Sequence, residues 1–382
     1  MLVLAPAIES IELDFNKHVV AAGVDGACSV HAADVDGDGR LDVLGAAFDA
    51  DTVTLWTNYG GDPVSWQEQV LITGFDGAHW VETADLDGDG DLDVIGASQF
   101  GGRVVMWRNN GADPASWSAE EVDADFAGAQ QVRPADMNGD GDLDLVGAAY
   151  YADEVAWWSH EGGQGLFSLR RTIATDIGGP VSVQVADLDG DGDLDVLTAS
   201  YSGDRIDWWR NDGHAMSWTG VSISDDFRGA HEVRTADFDN DGDTDILGVA
   251  FKQNEVHWWR NDGGNPVVWT DLVIDGYFRG VAAASAADFD GDGDVDVLAA
   301  AQGSHVLAWW SNNGGDPLTW SKYVLDSSFY EVWPNMAVDM DNDGDTDVLA
   351  GARRQNEIAW WENKGPAGPV RLGSDTNVAY TE

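Results

Sequence analysis

Asp85, Asp87, Asp89 and Asp93 occupy positions 1, 3, 5 and 9 of a short segment that carries Gly90 at position 6. The same spacing returns at Asp34, Asp36, Asp38 and Asp42, and at Asp136, Asn138, Asp140 and Asp144. It returns again at Asp187, Asp189, Asp191 and Asp195, and at Asp237, Asp239, Asp241 and Asp245. Asp288, Asp290, Asp292 and Asp296, then Asp339, Asp341, Asp343 and Asp347, complete the set. Three carboxylates within five residues repel one another unless a hard cation sits between them. A glycine at position 6 allows the sharp turn that brings the carbonyl of position 7 inward. That carbonyl belongs to Arg40, Asp91, Asp142, Asp193, Asp243, Asp294 or Asp345. A helix–loop–helix calcium site has Glu at position 12, but here that position is Gly96, so Asp93 is expected to close the site. Oxygen donors without His or Cys favour Ca²⁺ over zinc or copper. The expectation is up to seven Ca²⁺ ions, with Asn138 costing one charge and no oxygen. A solvated acidic turn without metal is the alternative.

The elements that position these loops follow from the repeat. The first Asp recurs at Asp34, Asp85, Asp136, Asp187, Asp237, Asp288 and Asp339, a period of 51 residues with one step of 50. Trp56, Trp107, Trp158, Trp209, Trp259, Trp310 and Trp361 recur in step, as do Phe15, Trp66, Trp117, Phe167, Trp218, Trp269 and Trp320. Each unit reads as four short strands: in the second, His79–Ala84, Leu92–Ala97, Arg103–Trp107 and Trp117–Val122. The runs are rich in Val, Ile, Ala and Trp and bounded by Gly, Asn, Asp and Pro. Paired tryptophans such as Trp157-Trp158 point to both faces of a strand, so each sheet should lie between two others. The reading is all-β: a seven-bladed β-propeller of four-stranded antiparallel blades. The seventh unit stops after its third strand, and Phe15–Val20 matches the missing fourth, so the N-terminal strand should close the ring. Residues 11–365 form the propeller in this reading, and 366–382 a tail or linker.

Composition excludes several classes. The formal charge of −50 offers phosphate no basic footprint, so no nucleic-acid partner is expected. No apolar run is long enough to span a bilayer, so no membrane insertion is expected. A single cysteine, Cys28, excludes a disulfide framework within the chain. The motifs of zinc proteases, serine hydrolases and phosphate loops are missing, so a binding role is expected rather than catalysis.

The acidic loop, the Val-Ile/Leu-Gly-Ala strand after it and the sevenfold period resemble FG-GAP/VCBS repeats. Such repeats build the integrin α-chain propeller, fungal propeller lectins of the Psathyrella type and many secreted bacterial proteins. The resemblance spans residues 15–365 and implies the propeller and its calcium, not one activity.

Positions that differ between units are the candidates for contact with a partner. These gather where the first strand begins and where the second turns into the third, on the face opposite the acidic loops. They include Phe48, His79, Trp80, Phe100, Tyr150, Tyr151, Tyr201, His231, Phe251, Trp333 and Arg353. Aromatic rings beside polar groups suit sugars, which gives a lectin-like, multivalent carbohydrate-binding protein as the expectation. Two alternatives stay open: a polysaccharide lyase or hydrolase, and a module binding protein or spacing domains in a larger surface protein. Some of the aromatics would otherwise simply fill gaps between blades. Weak oxygen sites fill at extracellular calcium, so a secreted or cell-surface location is expected, its signal peptide not present in this chain.

Overall fold

The computed structural model describes residues 13–111, 116–160, 167, 168 and 170–366. These residues form seven antiparallel sheets of four strands. In the blade of the second repeat the order is Ala78–Ala84, Asp93–Ser98, Arg103–Asn109 and Trp117–Asp123. Each boundary lies within two residues of the sequence reading. Blades are numbered here by their acidic loop, from the Asp34 loop as blade one.

Burial follows from the position of each strand. The second strand is buried along its whole length, as in Asp93–Ser98 and Asp296–Ala301. After the leading Asp its residues are small or aliphatic because neighbouring blades press on both faces. Gly96 illustrates the tightness: a Cβ there would lie 2.8 Å from the Trp107 ring. The outer strand is polar on its solvent side, as in Trp117–Asp123. Most of the recurring tryptophans are buried between blades, Trp107 at 1% and Trp158 at 0% exposure. In the third-strand register Trp209 alone is only partly buried, and its indole donates to Thr198 Oγ1 at 3.1 Å where blade two has Gly96.

A second aromatic seals five of the seven joints. Phe75, Phe126, Phe227, Phe278 and Phe329 lie on the connections entering the next blade, all at most 4% exposed. Each meets a third-strand tryptophan edge to face, with centroids 5.0 to 5.5 Å apart. Such contacts add roughly 0.5–1.5 kcal/mol each beyond area burial.

The ring closes as the sequence implied. Leu13–Ala22 pairs antiparallel with Glu357–Pro366, setting Phe15 opposite Asn363 and Lys17 opposite Trp361. One sheet thereby joins both ends of the described chain. Its last strand runs through Pro366, while residues 11 and 12 and the expected tail from 367 to 382 lie outside the described residues. Phe167 departs from its register: it pairs with His160 in an isolated bridge, and the outer strand of blade three starts only at Arg171.

Candidate metal centres and ligand pockets

All seven acidic loops share one hydrogen-bonding scheme. The position-6 glycine has φ between +88° and +99° in every copy, a backbone that disfavours any side chain. Its N–H donates to the position-1 carboxylate, at 2.9 Å for Gly293 to Asp288 and 3.1 Å for Gly90 to Asp85. Position 7 donates to position 5, as Asp294 does to Asp292 at 2.9 Å. The loop backbone therefore aims these carboxylates at a common centre.

Position 9 has two duties. Asp93 is fully buried, and its oxygens accept the N–H groups of Leu86 at 3.0 Å and Asn109 at 2.8 Å. Asp42, Asp144, Asp195, Asp245, Asp296 and Asp347 repeat this arrangement. Asn109 also donates through its side chain to Leu92 O and to Val35 O of the preceding blade, each at 3.3 Å. This asparagine staple recurs at Asn211, Asn261, Asn312 and Asn363. From sequence alone these asparagines read only as turn residues. Blade three has His160 instead, buried, its ring nitrogens without a hydrogen bond among the described residues and its Nδ1 3.6 Å from Asp142 Oδ2.

The donor set fits a hard divalent cation. Carboxylate oxygens of Asp85, Asp87 and Asp93 lie within 4.8 Å of one another, as do those of Asp187, Asp189 and Asp195, and of Asp237, Asp239 and Asp245. Asp34, Asp36 and Asp38 form a similar group, as do Asp288, Asp290 and Asp292. Oδ1 of Asp189, Asp239 and Asp290 is buried without a hydrogen-bond partner among the described residues. An anionic oxygen in that state needs a counter-charge.

Burial, with neighbouring carboxylates adding, pushes the position-9 acids up: Asp93 to about 6, Asp296 and Asp347 to about 7. The folded chain thus holds these protons to higher pH than the unfolded chain does. Stability from this source is complete below the ordinary aspartate value and is lost as pH rises through 6 to 7. In chelator, the melting temperature should therefore fall between pH 5 and pH 7.5. With millimolar Ca²⁺ it should not, because a bound cation favours the ionised acids. Scanning fluorimetry at both pH values with and without chelator checks this.

The opposite face gathers most of its variable residues into one cluster. His79, Trp333 and His231 meet across the ring axis, Trp333 edge-on to both imidazoles at 5.0 and 5.2 Å. Phe48 packs on His79 and Phe100, and Phe251 and Tyr201 pack on His231, with centroids 5.1 to 6.2 Å apart. Arg353 lies over Phe48 at 4.6 Å and pairs with Asp49. Trp80 donates to Glu82 and carries the Arg133 guanidinium on its ring. Tyr150 packs on Tyr151 and hydrogen-bonds Ser202 at 2.8 Å. Burial lowers His79 and His231 to about 4, so both imidazoles are neutral at pH 7. The cavity beneath this cluster is only about 50 Å³, room for a few waters. The structure thus brings most of these residues together in one linked aromatic cluster.

Larger pockets lie on the acidic-loop side, between blades. One of about 360 Å³ sits between blades five and six, lined by Asp239, Trp258, Arg260, Thr270, Pro317 and Trp320. Another of about 360 Å³ repeats it between blades four and five, with Asp189, Trp208, Arg210 and Pro266. A third, of about 190 Å³, lies between blades seven and one, with Trp66, Asp341 and Trp360.

Comparisons with known proteins agree with the fold. Residues 34–96, 85–147, 136–198, 187–248, 237–299 and 288–350 each match the family described as FG-GAP-like repeat. No curated protein matches by sequence. Among solved structures, BBS1N in complex with ARL6DN, soaked with mercury, is similar at 14% identity and a TM-score of 0.61, covering 93% of this chain and 98% of that one. The lead-soaked crystal of the same complex gives 14% identity and 0.62, covering 93% and 97%.

Proposed function

Since the chain belongs to the FG-GAP-like repeat family, we propose that it is a calcium-stabilised, multivalent binding module whose ligands are carbohydrates. The proposed metal ligands are the carboxylates at positions 1, 3, 5 and 9 of each loop with the carbonyl of position 7. Bound Ca²⁺ would supply the positive charge that cancels carboxylate repulsion. The chain's own residues do the rest. Position 9 ties the loop to the third strand, and the asparagine staple ties it to the preceding blade, so a filled loop stiffens the joint between blades.

The recurrence of one pocket at equivalent joints carries the ligand reading. A half-buried Trp320 or Trp66 offers an aromatic wall, and Arg260, Thr270 and backbone groups offer hydrogen bonds to hydroxyls. Pockets of this size suit one or two sugar rings. Simultaneous use of several would multiply weak affinities on a dense glycan surface. A secreted or cell-surface location belongs to the same proposal, because calcium is abundant there.

A glycan array probed in calcium and again in chelator tests this reading. Binding to a defined sugar class in calcium is expected. Thr270→Trp, which fills one pocket, should weaken retention on an immobilised glycan about tenfold while leaving the melting temperature within about 2 °C. Silence of the whole array at high protein concentration in calcium would contradict the carbohydrate reading.

A further inference from the structure

We propose that the seven loops are graded cation sites, those of blades one, two, four and five opposed by a built-in arginine and that of blade six unopposed. This rests on the calcium reading above. The chain supplies its own controls, because the residue after the third-strand tryptophan differs between blades. It is Arg108, Arg210 and Arg260 in blades two, four and five. Arg108 Nη1 lies 3.3 Å from Asp87 Oδ2, Arg210 Nη1 4.0 Å from Asp189 Oδ2, and Arg260 Nε 3.9 Å from Asp239 Oδ2. All three carboxylates are at position 3. In blade one the opposing group comes from within the loop, where Arg40 pairs with Asp38.

Blade six has Ser311 at that place, whose hydroxyl donates to Asp290 Oδ2 at 3.0 Å. The other oxygen of Asp290 is buried and unpartnered. No Lys or Arg pairs with the Asp288–Asp296 loop among the described residues. Blade three has Ser159 and gives up a charge through Asn138 instead. Blade seven has Glu362, already engaged by His18 and Lys364.

The arginines have somewhere to go. Arg108 also pairs with Glu120 at 3.2 Å, Arg210 with Asp212 at 3.0 Å and Arg260 with Asp262 at 2.7 Å. Each guanidinium spans a loop acid and an outer acid. A cation entering the loop repels it toward the outer partner, and an emptied loop takes it back. The guanidinium thus partly compensates the empty loop and competes with the cation. One such charge about 6 Å from a divalent cation lowers its affinity about tenfold at the dielectric of water, about 80.

Calorimetric titration of the full chain with Ca²⁺ at low ionic strength tests this. The wild-type isotherm should show a tight and a weak class. In the triple variant Arg108→Gln/Arg210→Gln/Arg260→Gln, three sites should leave the weak class and bind about tenfold tighter. Ser311→Arg should do the reverse and remove one site from the tight class. If calcium binds but both variants leave the isotherm unchanged, the grading is wrong. If calcium does not bind the wild type, the calcium reading itself fails.

Discussion

Excess chelator should lower the melting temperature by more than about 10 °C relative to millimolar Ca²⁺. A site held at a hundredfold its dissociation constant adds about 2.7 kcal/mol, so even a few filled sites produce a shift of that order. The structural cause lies in the loops, where buried, unpartnered oxygens of Asp189, Asp239 and Asp290 stand among other carboxylates. The effect should be cooperative across the ring. Position 9 holds the third strand, and the neighbouring asparagine holds the preceding blade. Calorimetry with and without chelator reads the shift directly. Restoring calcium should restore the original melt, which separates metal loss from irreversible damage.

Deleting residues 1–22 should be more damaging than any single substitution. Leu13–Ala22 is the outer strand of blade seven, and its removal strips the pairing partner from Glu357–Pro366. The Trp360 ring loses the stacked His18 at 4.5 Å, and Trp361 loses the Lys17 ammonium at 5.2 Å. Leu13 and Phe15 also leave the cluster around Trp361. An exposed strand edge beside two tryptophans invites aggregation. The truncated chain should be insoluble or melt at least about 10 °C lower, since loss of one packed aromatic alone costs about 3–5 kcal/mol. Supplying Leu13–Ala22 as a separate peptide should restore part of the loss. A soluble truncation with an unchanged melt would show that the ring does not depend on this closure.

The blades were legible because three registers of Asp and aromatic residues recur in phase, and one period fixes loop, strand and packing face together. Ring closure was legible because Phe15–Val20 supplies the fourth strand that the seventh unit lacks. The asparagine staple and the phenylalanines at the joints are less legible, although both recur. Their meaning is non-local: Asn109 matters because it reaches Val35 in another blade.

The variable residues were the harder case. An axis of sevenfold pseudosymmetry cannot be filled by seven equal side chains. One large residue must cross it and the others must yield, as Trp333 does between His79 and His231. Variation at the first strand therefore reflects packing at the axis as well as freedom for function. Pocket position was hidden for a related reason. The pocket of blade five is closed by Pro317 and Leu318 of blade six, and a comparison of units aligned within themselves does not see that contact.

The count of bound ions tests the account most directly. Native mass spectrometry, or equilibrium dialysis with elemental analysis, should find about seven Ca²⁺ per chain at millimolar calcium, the number of intact loops in the sequence. Magnesium at the same concentration should fill few of these sites, because it demands a smaller and more regular shell. A folded protein that binds no calcium at millimolar concentration would contradict the account.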